Sequence, residues 1–158
     1  MGGLLDQARK IAARAHDGQA DKAGRPYIEH CERVASRVSG EDAQVVAYLH
    51  DVVEKGPGWT LDRLRTEGFS PRTVDAVDAL TRRAGEEDAD FVRRAAADTL
   101  ARAVKRADLE DNLMQVEGRD PATAAEYRQN LQLLTQSPPF QQKEKHMIGA
   151  PQTRSQDP

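Results

Sequence analysis

The stretch Ala47-Tyr48-Leu49-His50-Asp51-Val52-Val53-Glu54 constrains this chain more than any other. Ala47, His50, Asp51 and Glu54 are three or four residues apart. At ~3.6 residues per turn they share one face of a predicted helix. Val46, Leu49 and Val53 make an adjoining aliphatic face at the same period, which seats that helix in a core. An adjacent His-Asp pair at the edge of a buried helix is costly unless something satisfies both groups. A divalent metal ion would do so.

The rest of the composition fits a helical host for such a pair. The chain has 158 residues, enough for one domain with a real core; 38% are hydrophobic and only 4% aromatic. Ala, Leu and Val supply most of the apolar surface alongside abundant Arg, Glu and Asp, which predicts an all-α bundle. A net charge of −3 gives no global basic field, so nucleic acid is not expected as a partner, and an anionic substrate must be held by local cations or a metal. The single Cys31 excludes an intrachain disulfide and a thiolate zinc site, which suits a reducing cytoplasm. No apolar run approaches the ~18 residues of a membrane span, and Met1-Gly2-Gly3-Leu4-Leu5-Asp6 has no signal-peptide pattern, so no membrane partner is expected.

Periodicity and punctuation predict roughly seven to eight helices. The first covers residues 4–16. After a polar loop at residues 17–25, Pro26 opens a second, with Ile28, Cys31, Val34, Ala35 and Val38 inward, ending at Ser39-Gly40. Asp42 is the expected cap of the third, which runs to Gly56-Pro57-Gly58. Thr60 and Ser70-Pro71 open two more, followed by a helix over residues 88–97. Asp98 or Thr99 caps the next, running to about Asn112, and Gly118-Arg119-Asp120-Pro121 leads into a last helix over residues 122–134. The domain is expected to occupy residues 1–136. Beyond it, a Gln-, Lys- and Pro-rich segment to Pro158 reads as a disordered tail, which leaves His146 without a catalytic role.

His30, His50, Asp51 and Asp108 are the ligand-type residues to weigh. Each alone has an ordinary explanation: a core histidine, or half of a surface ion pair worth under ~1 kcal/mol. Together, two imidazoles and two carboxylates give mixed nitrogen and oxygen ligation suited to Mn²⁺, Fe²⁺ or Zn²⁺. Such an ion lowers the pKa of bound water towards ~7 and clamps phosphate oxygens, as phosphoester hydrolysis requires.

The order of these residues resembles the HD-domain metal-dependent phosphohydrolases, and their context is similar to the alarmone hydrolase branch, the RelA/SpoT hydrolase domain and the small stand-alone alarmone hydrolases. The matching stretches are Ala15-His16-Asp17-Gly18-Gln19, Pro26-Tyr27-Ile28-Glu29-His30, Leu49-His50-Asp51-Val52-Val53-Glu54, and Val104-Lys105-Arg106-Ala107-Asp108-Leu109-Glu110-Asp111-Asn112-Leu113. The resemblance implies a helical HD-domain bundle that uses Mn²⁺ and removes the 3′-pyrophosphate from guanosine tetra- and pentaphosphate. It implies that His30, His50, Asp51 and Asp108 are metal ligands, with Asp51 and Glu54 catalytic and Glu54 handling the attacking water. It also implies that Lys22, Asn112 and Tyr127 contact the nucleotide, and that His16 is a structural helix-end residue. The synthetase and regulatory domains of the long family members are not expected within these 158 residues.

Two positions depart from the family pattern. A Glu-Asp pair there is Glu54-Lys55 here, and an arginine that stacks on guanine is Asp21. Lys55 puts a cation where a phosphate can lie, worth ~1–3 kcal/mol if desolvated. Asp21 brings a negative charge towards an anionic ligand. A less specific nucleotidase or phosphatase, and a nucleotide-binding module with weakened hydrolysis, therefore stay open beside the alarmone hydrolase.

Overall fold

The computed structural model describes residues 3–138. The predicted tail and His146 lie outside the described residues but for Ser137 and Pro138. Among the described residues nine helical segments follow one another: α1 (Leu4–Ala15), α2 (Tyr27–Ser36), α3 (Glu41–Leu49), α4 (Val52–Lys55), α5 (Leu61–Thr66), α6 (Pro71–Ala79), α7 (Asp88–Ala96), α8 (Thr99–Val116) and α9 (Pro121–Gln136). No strand occurs among the described residues; a lone bridge between Ala20 and Pro26 pinches the loop after α1. The all-α bundle expected from composition is the observed architecture.

α3 is the central element, packed against α1, α2, α6 and α8. Val45, Val46, Ala47 and Leu49 are almost wholly buried, so apolar residues surround it on nearly every side. The main core combines them with Ala8, Ala12, Val34, Val74, Val77 and Val104, small side chains that let the helices approach closely. A second cluster, Val92, Ala96, Leu109 and Leu134, seats α9 on α7 and α8. Four helices open on side-chain caps: Thr60, Ser70, Asp98 and Asp120 each accept the amide three residues ahead. Asp42 does not cap α3; that helix begins at Glu41 after Gly40, whose φ of 91° suits glycine.

The predicted third helix is broken at His50-Asp51. The His50 ring bonds the carbonyl of Ala47 at 2.6 Å, the acceptor that Asp51 N would take in an unbroken helix. Asp51 then adopts φ −111°, ψ 2°, and α4 restarts at Val52. The register shifts with the break. Val52, not Val53, is fully buried, and Ala47, His50, Asp51 and Glu54 do not form one continuous helical stripe. Gly56 closes α4 where a Cβ would lie 2.5 Å from Val52 O and 2.8 Å from Ala15 Cβ, so only glycine lets α4 lie this close to α1. α8 runs a turn beyond the expected Asn112, to Val116.

Arg94 joins three segments. Its guanidinium donates to Asp78 O at 2.8 Å and Thr81 O at 2.7 Å at the end of α6, and takes Glu86 in a two-pronged contact at 2.9 Å. One side chain thus ties the last turn of α6 and the loop after it to α7.

Candidate functional site

Four ligand-type side chains meet where α2, the α3–α4 break and α8 come together. One ligand atom each from His30, His50, Asp51 and Asp108 lies within 4.8 Å of all the others. His30 Nε2 is 3.1 Å and His50 Nε2 3.3 Å from Asp108 Oδ1, while His50 Nε2 is 3.0 Å from Asp51 Oδ2. His30 and His50 are 1% and 2% exposed and Asp108 is 7% exposed.

The opposite ring nitrogens are tied down. His30 Nδ1 meets Asp111 Oδ2 at 2.6 Å, and His50 Nδ1 meets the Ala47 carbonyl at 2.6 Å. A carboxylate and a carbonyl accept, so each Nδ1 carries the hydrogen and each Nε2 faces the common point. The carboxylates are also held: the Tyr27 hydroxyl donates to Asp51 Oδ2, and Asn112 Nδ2 to Asp108 Oδ1 at 3.1 Å. Lys105, itself buried, donates to Asp108 Oδ2 at 3.4 Å.

Electrostatics here call for positive charge. Burial would push Asp108 up, yet Lys105 and the two imidazoles hold it well below the usual carboxylate range. Burial likewise opposes ionisation of Asp51, and His50 outweighs it. Burial pushes His50 down, but Asp51 and Asp108 raise it well above an ordinary histidine; burial also pushes His30 down, and Asp108 and Asp111 raise it above the ordinary value. The donor set fits a divalent cation, because two carboxylates and two Nε2 atoms, each anchored from behind, share one point.

A cavity of about 280 Å³ opens over this cluster. Lys22, Glu54, Lys55, Asn112 and Tyr127 all line it. Lys55 Nζ lies 4.7 Å from the Tyr27 ring centroid, and Lys22 Nζ lies 5.7 Å from that of Tyr127. On the opposite wall Lys105 Nζ is 4.3 Å and the Arg82 guanidinium 4.9 Å from the Phe91 ring. The pocket sets four cations, Lys22, Lys55, Arg82 and Lys105, among four carboxylates, Asp21, Asp51, Glu54 and Asp108. His16 ends α1, with Nδ1 2.8 Å from Gln19 Oε1. It is the helix-end residue expected.

Asp21 differs from expectation. Its Oδ1 accepts the amides of Ala23 and Arg25 at 3.0 and 2.9 Å, and Oδ2 takes Arg33 at 2.8 Å. Burial would raise it, but Arg33 and the two amides keep it low. Its charge is already paired, so it does not confront an anionic ligand as a bare carboxylate.

Sequence reading missed Asp111, Arg33, Gln115, Tyr27, Lys105 and Arg82 as members of this site. Asp111, fully buried, accepts from His30, from Arg33 at 2.8 and 3.2 Å, and from Gln115 at 2.8 Å. Spacing carried part of this signal. Arg33 is one turn past His30 and Asp111 one turn past Asp108. Ending α8 at Asn112 hid Gln115, a further turn on.

The comparisons agree with this architecture. A family model described as HD domain matches residues 8–135. Over 76 residues, 46% of this chain, the sequence is 37% identical to the guanosine-3′,5′-bis(diphosphate) 3′-pyrophosphohydrolase of Haemophilus influenzae. The matched region spans 11% of that curated relative. A solved structure of a metazoan ortholog of SpoT, described as hydrolyzing ppGpp and acting in starvation responses, is similar in fold. Its TM-score is 0.71 at 21% identity, covering 87% of this chain and 89% of that one. With most of its length matched and its His-Asp pair at the meeting point of the central helices, the chain belongs to the HD domain family.

Proposed function

We propose that this protein is a Mn²⁺-dependent phosphohydrolase acting on guanosine 3′,5′-bis(diphosphate) or a closely related nucleotide, releasing the 3′-pyrophosphate. One observation carries the reading: four ligand atoms within 4.8 Å of one another at the floor of a pocket lined by four cations. The curated relative, whose name states this activity, supports the substrate class. His30, His50, Asp51 and Asp108 would hold the cation. A divalent ion there supplies Lewis acidity towards a phosphate oxygen and lowers the pKa of water.

The chain's own residues do the rest. Lys22 and Lys55 hold phosphate oxygens by charge-assisted hydrogen bonds. Tyr127 closes the pocket from α9, and Asn112 contacts the sugar or base. Glu54 takes a proton from the attacking water. As that water's oxygen bonds to phosphorus, the P–O3′ bond breaks, and the departing 3′-oxygen gains a proton as pyrophosphate leaves. Asp51 and Asp108 stay ionised throughout, held by the positive charge around them. On this reading catalysis belongs to a single domain over residues 1–136, working in a reducing cytoplasm where the buried thiol of Cys31 stays inert. Burial pushes that thiol up to about 12.

A second reading is nucleotide binding without turnover, favoured by the exposed Lys55 beside Glu54 where the family pattern has a second acid. A less specific nucleotidase is the alternative within the enzyme class. The test is a nucleotide-panel hydrolysis assay with Mn²⁺, Mg²⁺ and Zn²⁺, with His50→Ala/Asp51→Ala as control. Pyrophosphate release from guanosine tetraphosphate in Mn²⁺ by the native protein alone is expected. Mn²⁺-dependent binding with no phosphate or pyrophosphate released from any nucleotide would sink the enzyme reading and leave the binding module.

A further inference from the structure

One guanidinium joins the pocket loop to an imidazole of the candidate metal centre. Asp21 stands beside Lys22 in the loop between α1 and α2, and its Oδ2 takes Arg33 Nη2 at 2.8 Å. The same Arg33 reaches α8, with Nε on Asp111 Oδ1 at 2.8 Å and Nη2 on Oδ2 at 3.2 Å. Asp111 Oδ2 in turn accepts from His30 Nδ1 at 2.6 Å. The Asp21 and Asp111 side chains are 1% and 0% exposed, whereas that of Arg33 is 26% exposed. Two buried anions are therefore spanned by one cation that solvent can reach.

We propose that Arg33 is a positioning residue that couples the setting of the pocket loop to the grip of His30 on a divalent cation, an inference that rests on the metal-site reading above. The planar fork fixes Asp111 through Nε and Nη2, and the same Nη2 is shared with Asp21 Oδ2. Asp111 fixes the orientation and tautomer of His30, and carboxylates in this position behind a metal-binding imidazole govern its affinity. Releasing the Asp21 contact at the shared Nη2 frees a partly exposed arginine to leave Asp111, and the loss is felt at His30 Nε2. A loop that carries the substrate-facing Lys22 thus reports its position to the metal centre through side chains alone.

The test is Mn²⁺ titration of the full chain without nucleotide, by calorimetry and by the electron paramagnetic resonance of free Mn²⁺. The proteins are the native chain, Asp21→Asn, Arg33→Met and the double variant. Asp21→Asn keeps an oxygen for the amides of Ala23 and Arg25 and removes only the charge that Arg33 pairs with. Asp21→Asn is expected to weaken Mn²⁺ binding about 3–10-fold and Arg33→Met about 10-fold. The double variant should match Arg33→Met within about 2-fold, because Asp21 acts only through Arg33. In the metal-free protein the His30 Nδ1–H proton resonance should move upfield in Asp21→Asn, which a merely loosened loop does not produce. Should Arg33→Met fail to fold, Arg33→Lys replaces it, since an ammonium cannot span both carboxylates. Native Mn²⁺ affinity in Asp21→Asn, or losses that simply add in the double variant, overturns the coupling. A native chain that binds no Mn²⁺ removes the metal-site reading and the coupling with it.

Discussion

At the floor of the pocket, His30, His50 and Asp108 are at most 7% exposed and their polar atoms are held by neighbours. At the rim, Lys22, Glu54 and Lys55 are exposed. The two regions are joined through the same short segments, since Asp51 and Glu54 are separated by three positions across the α3–α4 break. The floor is preorganised: buried groups fixed from behind need no rearrangement to receive a cation, which keeps the cost of binding low. The rim keeps its charged side chains in solvent, with the two ammonium groups resting against tyrosine rings. The contrast separates residues expected to govern metal affinity and stability from those expected to govern substrate binding.

The largest effect should come from the floor. His50→Ala/Asp51→Ala removes two of four donors and should abolish Mn²⁺ binding in a titration, with turnover falling by ~10³-fold or more. Retained turnover in that variant would erase the distinction between the two regions. Next comes the residue between them. Glu54→Gln should lower kcat by ~10²-fold or more while Mn²⁺ affinity and KM stay within about 2-fold, which steady-state kinetics and a metal titration together check. A large loss of Mn²⁺ affinity would instead assign Glu54 to the floor.

Strong acid should cost the floor stability. Burial would raise Asp111, but His30 and Arg33 hold it at about 2, below the ordinary 3.8. A depressed carboxylate contributes stability that is present above the unfolded-state value and is lost as pH falls through the folded one. Between pH 4 and 2 the native protein should therefore lose about 2 kcal/mol that Asp111→Asn never had. Denaturant melts of both proteins across that range measure it. Parallel stability curves would show that the Asp111 pair contributes nothing.

The smallest effects belong to the rim. Lys22→Ala and Lys55→Ala should each raise KM about 10-fold with Mn²⁺ affinity unchanged, an effect that added salt reduces. Lys55→Asp restores the acid found in the family pattern. A rise in kcat on guanosine tetraphosphate in that variant would show that Lys55 has moved the enzyme away from this substrate.

Much of this was legible in the chain itself, for a physical reason: helical periodicity and capping are local. Thr60, Ser70, Asp98 and Asp120 begin helices because a side chain can reach an amide three residues ahead without tertiary help. The spacing of Val34, Val46, Val74 and Val104 likewise marked the buried faces. The residue types His30, His50, Asp51 and Asp108 were visible as a set because of their order in the sequence. What the sequence did not contain was direction. Only packing of α2, α3 and α8 turned four side chains onto one point, and only the fold brought Asp111 to His30 across 81 positions. The break at His50-Asp51 was also a tertiary decision, because a ring committed to the Ala47 carbonyl and a half-buried carboxylate committed to Tyr27 together outweigh the preference of Ala and Leu for an unbroken helix. Lys55 and Asp21 looked like charges set against the family pattern. Their partners, the Tyr27 ring and the Arg33 guanidinium, lie on another helix, and no reading of adjacent residues supplies them.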